Sequence, residues 1–309
     1  MKMSSNSVRD CRRHYAGELE KIYGSNEANA LIMILLEHYF NINRVKMAMN
    51  PDLRLSESEL LTLHFAVKEL LKNKPVQYVI GEAEFCNMKF FVDENVLIPR
   101  PETEELVNQL VSWSVSQFGV NPHPSFRPKR SEVEKSPANI SILDIGTGSG
   151  CIAVSVAKLL KNSAVTAVDI SEKALEVAKK NAQANGVDVR FILDDILNPQ
   201  NSELIENQYD IIVSNPPYVC ESEKSVMRAN VLEHEPATAL FVSDNDPLIF
   251  YRKILEFAQK ALRPNGEVWF EINERFGKEM KTLCLEKGFQ NVEIIKDFRG
   301  RERFVRVQS

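Results

Sequence analysis

The 309-residue sequence predicts an α/β protein: a mostly parallel seven-stranded sheet with an antiparallel C-terminal hairpin, preceded by a small all-helical N-terminal domain and a β-hairpin linker. Three observations predict it. From residue 139 onward, β-forming runs alternate with helical ones, the pattern of a parallel sheet covered on both faces. The last two strand-like runs follow each other with no helix between them, so they pair as a hairpin at one side of the sheet. Residues 1–75 carry helical periodicity and no strand pattern.

Within 1–75, NEANALIMILLEHYF reads as a buried helix. SESELLTLHFAVKELLKN opens with Ser56 and Glu59 at capping-box spacing and continues with Leu60, Leu63, Val67, Leu70 and Leu71 at helical period. Lys74-Pro75 closes the domain. Residues 76–98 place β-formers on both sides of Gly81 and of Asn87 and read as a hairpin linker. The domain 99–309 opens with a helix start, Pro101 at its first position and Glu102, Glu104 and Glu105 near the positive end of the helix dipole. Proline and mixed charge at 121–138 read as a mobile surface loop. Strand candidates ISILDIG, AVTAVDI, VRFILDD, YDIIVSN and EVWFEIN then alternate with helices at 149–161, 171–185, 247–263 and 274–288. NVEIIKDF and RFVRVQ form the hairpin around Arg299-Gly300.

Composition narrows the function. A net charge of −5 argues against a chain whose main task is to grip a nucleic-acid backbone. Cys11, Cys86, Cys151, Cys220 and Cys284 are far apart and form no CxxC pair, and the histidines are scattered, so neither a disulfide framework nor a metal site is expected. The longest apolar run, LIMILL, is too short to span a bilayer. Arg9, Arg12 and Arg13 are interleaved with Asp10, Glu18 and Glu20, which argues against a transit peptide, and the stretch has no apolar run of the kind a secretory signal needs. The expected location is the cytoplasm.

The chemistry gathers at strand ends. LDIGTGSGCIAV sets Asp144, Gly146, Gly148 and Gly150 at a strand-to-helix junction, where a ligand approaches the backbone closely and helix N–H groups are free. The spacing is GxGxG rather than GxGxxG, and an acid stands before the first glycine. A pyrophosphate is repelled by Asp144, whereas a cation is welcome. The plain alternative is a tight turn with Asp144 capping nearby amides. Asp169 ends the next strand, 19 residues after Gly150, where a carboxylate accepts both hydroxyls of a ribose. Ser171 is the better N-cap there. Asp194 and Asp195 end the third strand, and one of them can accept from an adenine amine. Together these describe an adenosine ligand with a positive centre: S-adenosylmethionine fits better than NAD.

The fourth strand ends in Ser214-Asn215-Pro216-Pro217-Tyr218-Val219. Two prolines fix φ and remove two donors, leaving a stiff corner with one carboxamide, unpartnered carbonyls and one ring. A planar –NH2 on an sp² carbon is a poor nucleophile. Asn215 Oδ1 and the Pro216 carbonyl can each accept one of its N–H groups, and Tyr218 can pack on its flat face. That aims the nitrogen at a methyl donor by position and dipoles, with no strong base.

These motifs resemble class I S-adenosylmethionine-dependent methyltransferases with a Rossmann-like core, and NPPY is similar to the motif of those acting on amino groups. KPVQYVIGEAEFCNMKFFVDENVLIPRPETEELV at 74–107, EHEPATALF at 233–241 and DFRGRERFV at 297–305 narrow the resemblance to the protein-(glutamine-N5) methyltransferases of peptide chain release factors, over nearly the whole chain. The resemblance implies methyl transfer to the glutamine of the Gly-Gly-Gln loop of class-1 release factors. It implies a cofactor site lined by Asp144, Gly146, Thr147, Gly148, Ser149, Gly150, Asp169, Asp195, Ile196 and Asn215. Asn215, Pro216, Pro217 and Tyr218 hold the glutamine, with Asn215, Pro216 and Tyr218 in the catalytic role. Ile196 stands where relatives often carry an aromatic residue. The helical domain is expected to recognise the release factor. Arg100 either shapes the mouth of the site or makes a structural salt bridge.

A nucleic-acid amino-methyltransferase acting on a flipped adenine or guanine shares the NPPY logic, but the acidic chain shows no basic, aromatic-interleaved target-reading domain. A non-catalytic binding protein on the same fold is a third reading, and intact motifs at both ends of the site count against it.

Overall fold

Capping side chains set where the N-terminal helices begin. In the computed structural model, which describes residues 5–119 and 139–309, Ser7 accepts from the Asp10 amide and starts α1 (Val8–Tyr23). Helix α2 (Ser25–Phe40) follows Gly24, and Asn43 caps the short α3 (Arg44–Met49). Ser56 and Glu59 form the expected capping box of α4 (Glu57–Leu70). Leu19, Ile32, Leu36, Leu63 and Leu70 are fully buried in the cluster these helices share.

The linker differs from the expected strands at its start. Residues 76–80 form a helical turn, α5 (Val76–Ile80). Val76, Val79 and Ile80 pack on the helical cluster, and Tyr39 Oη donates to the Val79 carbonyl at 3.0 Å. Burial there outweighs the β preference of these residues. The hairpin itself is β1 (Glu82–Phe85) and β2 (Met88–Phe91), turning on Cys86 and Asn87 with φ of 50° and 57°. Positive φ at both positions is what a tight two-residue hairpin turn requires.

Helix α6 (Pro101–Phe118) precedes β3 (Ile140–Ile145), with Pro101 in its first turn. The proline-rich stretch 121–138 lies outside the described residues. Next come α7 (Cys151–Leu159), β4 (Ser163–Asp169), α8 (Glu172–Asn185), β5 (Arg190–Leu193), α9 (Ser202–Glu206) and β6 (Tyr209–Ser214). The short β7 (Val219–Cys220), α10 (Ala229–His234), α11 (Ala237–Leu240) and β8 (Phe241–Val242) follow. Helix α12 (Ile249–Ala261), β9 (Leu262–Glu271), α13 (Gly277–Glu286), β10 (Gln290–Lys296) and β11 (Glu302–Gln308) complete the chain.

Seven strands form one sheet in the order β10-β11-β9-β6-β3-β4-β5. Strands β9, β6, β3, β4 and β5 are mutually parallel, and β11 runs antiparallel to both β9 and β10. The expected C-terminal hairpin therefore closes one edge. Side chains alternate between two cores: Ile142, Ala167 and Val213 pack with α6 and α7, whereas Leu143, Val168 and Ile212 pack with α12 and α13.

The chain divides into two compact units: the residues up to Glu82 with Met227–His234, and Ala83–Val226 with Glu235–Ser309. Within the first unit, α10 returns so that His234 Nε2 lies 2.9 Å from the Lys72 carbonyl. No local signal in the sequence announces that return. Among the described residues, no helix is long and apolar enough to cross a membrane.

Candidate active site

Strand order reverses at β3, with β4 on one side and β6 on the other. Ligands of open α/β sheets bind beyond the carboxyl ends of the strands at such a switch point. Register does the gathering: Ile145 pairs with both Val168 and Ser214, and Asp169 pairs with Leu193. The residues that follow these strand ends, from Gly146 to Asn215, therefore share one edge.

The loop after β3 uses left-handed backbone at Gly146, Gly148 and Gly150, with φ of 74°, 54° and 79°. A Cβ on Gly146 or Gly148 would meet no atom within 4 Å, whereas one on Gly150 would sit 3.0 Å from Ala178 Cβ. The first two glycines face open space and the third is a packing contact with α8. Asp144 is fully buried behind the loop, where its Oδ2 accepts from Thr147 Oγ1 (2.7 Å) and the Ala153 amide (3.1 Å). Burial raises its carboxyl to about 7. Asp169 Oδ2 accepts from the Gly148 amide (2.8 Å) and its Oδ1 from the Ser171 amide (2.9 Å), and burial raises this carboxyl as well. As expected, Ser171 Oγ caps α8.

The two acids after β5 separate in role. Asp194 is saturated by backbone: its oxygens accept from the amides of Asp195, Gln200 and Asn201. Asp195 uses only Oδ1, toward the Leu197 amide at 2.9 Å.

At the end of β6, Ser214 Oγ donates to the Ile145 carbonyl (2.7 Å) and ties the corner to the glycine loop. Asn215 Nδ2 donates to Thr103 Oγ1 at 3.2 Å. Thr103 Oγ1 donates to Glu271 Oε2 at 2.7 Å, and Tyr218 Oη donates to Glu271 Oε1 at 3.0 Å. Among the described residues nothing donates to Asn215 Oδ1 or to the Pro216 carbonyl.

A cavity of about 410 Å³ lies between these elements. Gly146, Thr147, Gly148, Ser149, Asp169, Asp195, Ile196, Asn215, Pro216 and Pro217 line it. Three expected residues do not. Asp144 is behind the loop, clasping it, which is the capping alternative. Gly150 is turned onto α8. Tyr218 packs against the core beside α12 with its hydroxyl tied to Glu271, so the ring braces the corner from behind. Aromatic wall is supplied instead by Phe241 and Phe250. Among the lining residues Arg100 is the one basic side chain, and Glu235 neutralises it in a bidentate pair at 2.7 and 2.8 Å. Asp169, Asp194 and Asp195 remain, so the cavity suits hydroxyls and positive charge rather than phosphate.

Sequence reasoning missed Thr103, Glu271 and Asn181. Asn181, buried in α8, receives the Phe91 amide (2.6 Å) and donates to the carbonyls of Phe91 (2.9 Å) and Ser149 (2.8 Å), clamping β2 to the glycine loop. A carboxylate inside the apolar strand EVWFEIN was the available signal for Glu271. Thr103 lies in RPETEELV among acids that suit a helix start, and its own side chain carries no signal that sets it apart from them.

A doubly wound sheet with a glycine loop after β3, an acid after β4 and Asn-Pro-Pro-Tyr after β6 defines a methyltransferase. A family model described as "Methyltransferase small domain" matches residues 131–241, and one described as "PrmC N-terminal domain" matches 10–81. The chain is 43% identical over 300 residues to the release factor glutamine methyltransferase of Flavobacterium psychrophilum, covering 97% of this chain and 98% of that protein. It is 40% identical over 287 residues to the enzyme of that name from Bacteroides thetaiotaomicron, covering 93% and 95%. Among solved structures, a release factor-specific protein-(glutamine-N5) methyltransferase from Alicyclobacillus acidocaldarius matches at 27% identity and a TM-score of 0.39, over 71% of this chain and 98% of that one. The chain belongs to the release factor glutamine methyltransferase family.

Proposed function

We propose that this protein transfers a methyl group from S-adenosylmethionine to the side-chain amide nitrogen (N5) of the glutamine in the Gly-Gly-Gln loop of class-1 peptide chain release factors. One observation carries the reading: Asn215 and Pro216 line the cavity that also holds Gly148 and Asp169, and among the described residues nothing donates to Asn215 Oδ1 or to the Pro216 carbonyl. A primary amide has two N–H groups to give to such a pair.

The residues present fit the donor. Gly146 and Gly148 leave room for close approach, and the unpaired lining charge is negative. Asp169 holds the ribose hydroxyls, since each of its oxygens takes one backbone N–H and keeps a lone pair. Asp195, through its second oxygen, would accept the adenine amine, and Ile196 would pack on the base. When bound, S-adenosylmethionine would supply an electrophilic methyl on a sulfonium, which would leave as a neutral thioether while the proton lost from the amide nitrogen would pass to water. Asn215 and Pro216 orient the glutamine nitrogen, Pro217 shapes the wall, and Tyr218 keeps the corner rigid. The gain is one of positioning and aimed dipoles.

The helical region 1–75 recognises the release factor, 76–98 joins it to the transfer domain, and 99–309 carries the chemistry. The match of 10–81 to a family model separate from that of 131–241 supports this division. A release factor as substrate supports a cytoplasmic location. The deciding experiment incubates the enzyme with methyl-labelled donor and release factor, release factor with its Gly-Gly-Gln glutamine replaced by alanine, or nucleic acid. Label on the intact factor alone is the expected result, and label on nucleic acid alone overturns the reading.

A further inference from the structure

Two buried polar residues meet the Asn215 corner from distant parts of the chain. Thr103 in the first turn of α6 is 2% exposed, and Glu271 at the end of β9 is 1% exposed. A carboxylate is costly to bury and persists where something holds its charge in place. Here Thr103 and Tyr218 each donate a hydroxyl to one of its oxygens, and Tyr251 Oη donates to the Glu271 backbone carbonyl at 3.0 Å.

Burial raises the Glu271 carboxyl, while the Thr103 and Tyr218 hydroxyls bonded to its two oxygens pull it back down. With both oxygens accepting as a carboxylate, the single Thr103 hydroxyl proton points at Glu271. Thr103 Oγ1 is then an acceptor for its other neighbour, which must present N–H. Asn215 therefore turns Nδ2 toward Thr103 and Oδ1 toward the cavity. The flipped amide would set its oxygen, an acceptor, against the lone pairs of Thr103 Oγ1, and an –NH2 against the N–H of a substrate amide. We propose that Thr103 and Glu271 are positioning residues that impose the amide orientation of Asn215, so that its oxygen and not its nitrogen faces the substrate amide. This rests on the methyl-transfer reading of the cavity given above.

The test separates shape from hydrogen bonding at one site. Thr103→Val keeps the shape of the side chain and removes the hydroxyl; Thr103→Ser keeps the hydroxyl and removes the methyl. Single-turnover methyl transfer to release factor is measured with the full-length enzyme, beside donor affinity by calorimetry. Thr103→Val is expected to slow transfer about 10- to 100-fold, with donor affinity within about twofold of wild type. Thr103→Ser is expected to recover most of the rate. Glu271→Gln offers Thr103 an amide of ambiguous polarity and is expected to lose a similar factor, with the Thr103→Val/Glu271→Gln double variant no slower than the worse single one. Full activity in Thr103→Val, equal losses in Val and Ser, or multiplying losses in the double variant overturn the proposal. Should Glu271→Gln fail to fold, the Val and Ser pair decides alone. A wild-type enzyme that leaves release factor unlabelled defeats the proposed function; a labelling wild type with an equally active Thr103→Val defeats only the positioning role.

Discussion

The two walls of the cavity are built in opposite ways. On the donor side, the two carboxylates find their partners nearby in the chain: Thr147 and Ala153 bind Asp144 three and nine residues away, and Gly148 binds Asp169 at a separation of 21. On the acceptor side, Asn215 depends on Thr103 at a separation of 112, and Thr103 depends on Glu271 at 168. A ligand that offers hydroxyls, a base and a cation can be met by turns and strand ends. Aiming one amide oxygen at a weak nucleophile needs side chains fixed from behind, and no single loop supplies them.

The sharpest break in this comparison is expected from Gly148→Val. Its Cβ meets no protein atom, so the clash falls on the ligand, while the left-handed backbone costs about 1–2 kcal/mol of stability. Donor affinity should drop by about two decades or more, with the enzyme still folded; calorimetric titration showing unchanged affinity would dismiss the loop as the donor site. On the opposite wall, Asn215→Ala should slow single-turnover transfer by about one to two decades and leave donor affinity within about twofold. If affinity falls as far as the rate does, the two walls are not separable in function.

Two smaller effects sharpen the donor side. Gly150→Ala places Cβ 3.0 Å from Ala178 Cβ and 3.2 Å from its Cα at a φ of +79°. Overpacking and backbone strain together should cost about 2–3 kcal/mol in a denaturant melt, so neighbouring glycines of one motif divide into a binding position and a packing position. A melt matching the wild type would show the loop to be more plastic than its contacts suggest. Ser171→Ala removes the cap on α8 and should cost about 1 kcal/mol. Asp169 stays held by the Ser171 backbone amide, which the substitution keeps, so a large loss of donor binding in this variant would mean that the cap itself positions the carboxylate.

Much of the architecture was legible because its causes are local. Alternating strands and helices dictate a parallel sheet, a hairpin without an intervening helix dictates its antiparallel edge, and the Ser56–Glu59 box and the Ser171 cap were found where their spacing put them. Residues 76–80 carry the Val and Ile that favour β structure, yet burial on the helical cluster makes them a helical turn. The lining role given to Asp144 failed for a related reason: a carboxylate before a glycine loop looks like a ligand contact, but its side chain points into the protein and is consumed by Thr147 and Ala153.

Which residue types end each strand is written in the sequence, and with them the chemistry available: glycines after β3, carboxylates at the ends of β4 and β5, a rigid carboxamide after β6. Strand order and register are long-range choices, made when separate runs bury their faces together, and they brought those ends to one edge. The orientation of the Asn215 amide was decided later still. It depends on one threonine hydroxyl and one buried carboxylate whose positions are set by α6 packing on one face of the sheet and by β9 lying beside β6. Short-range chemistry can be read from neighbours in the chain; the direction of a hydrogen bond between residues 112 positions apart exists only once the fold has put them in contact.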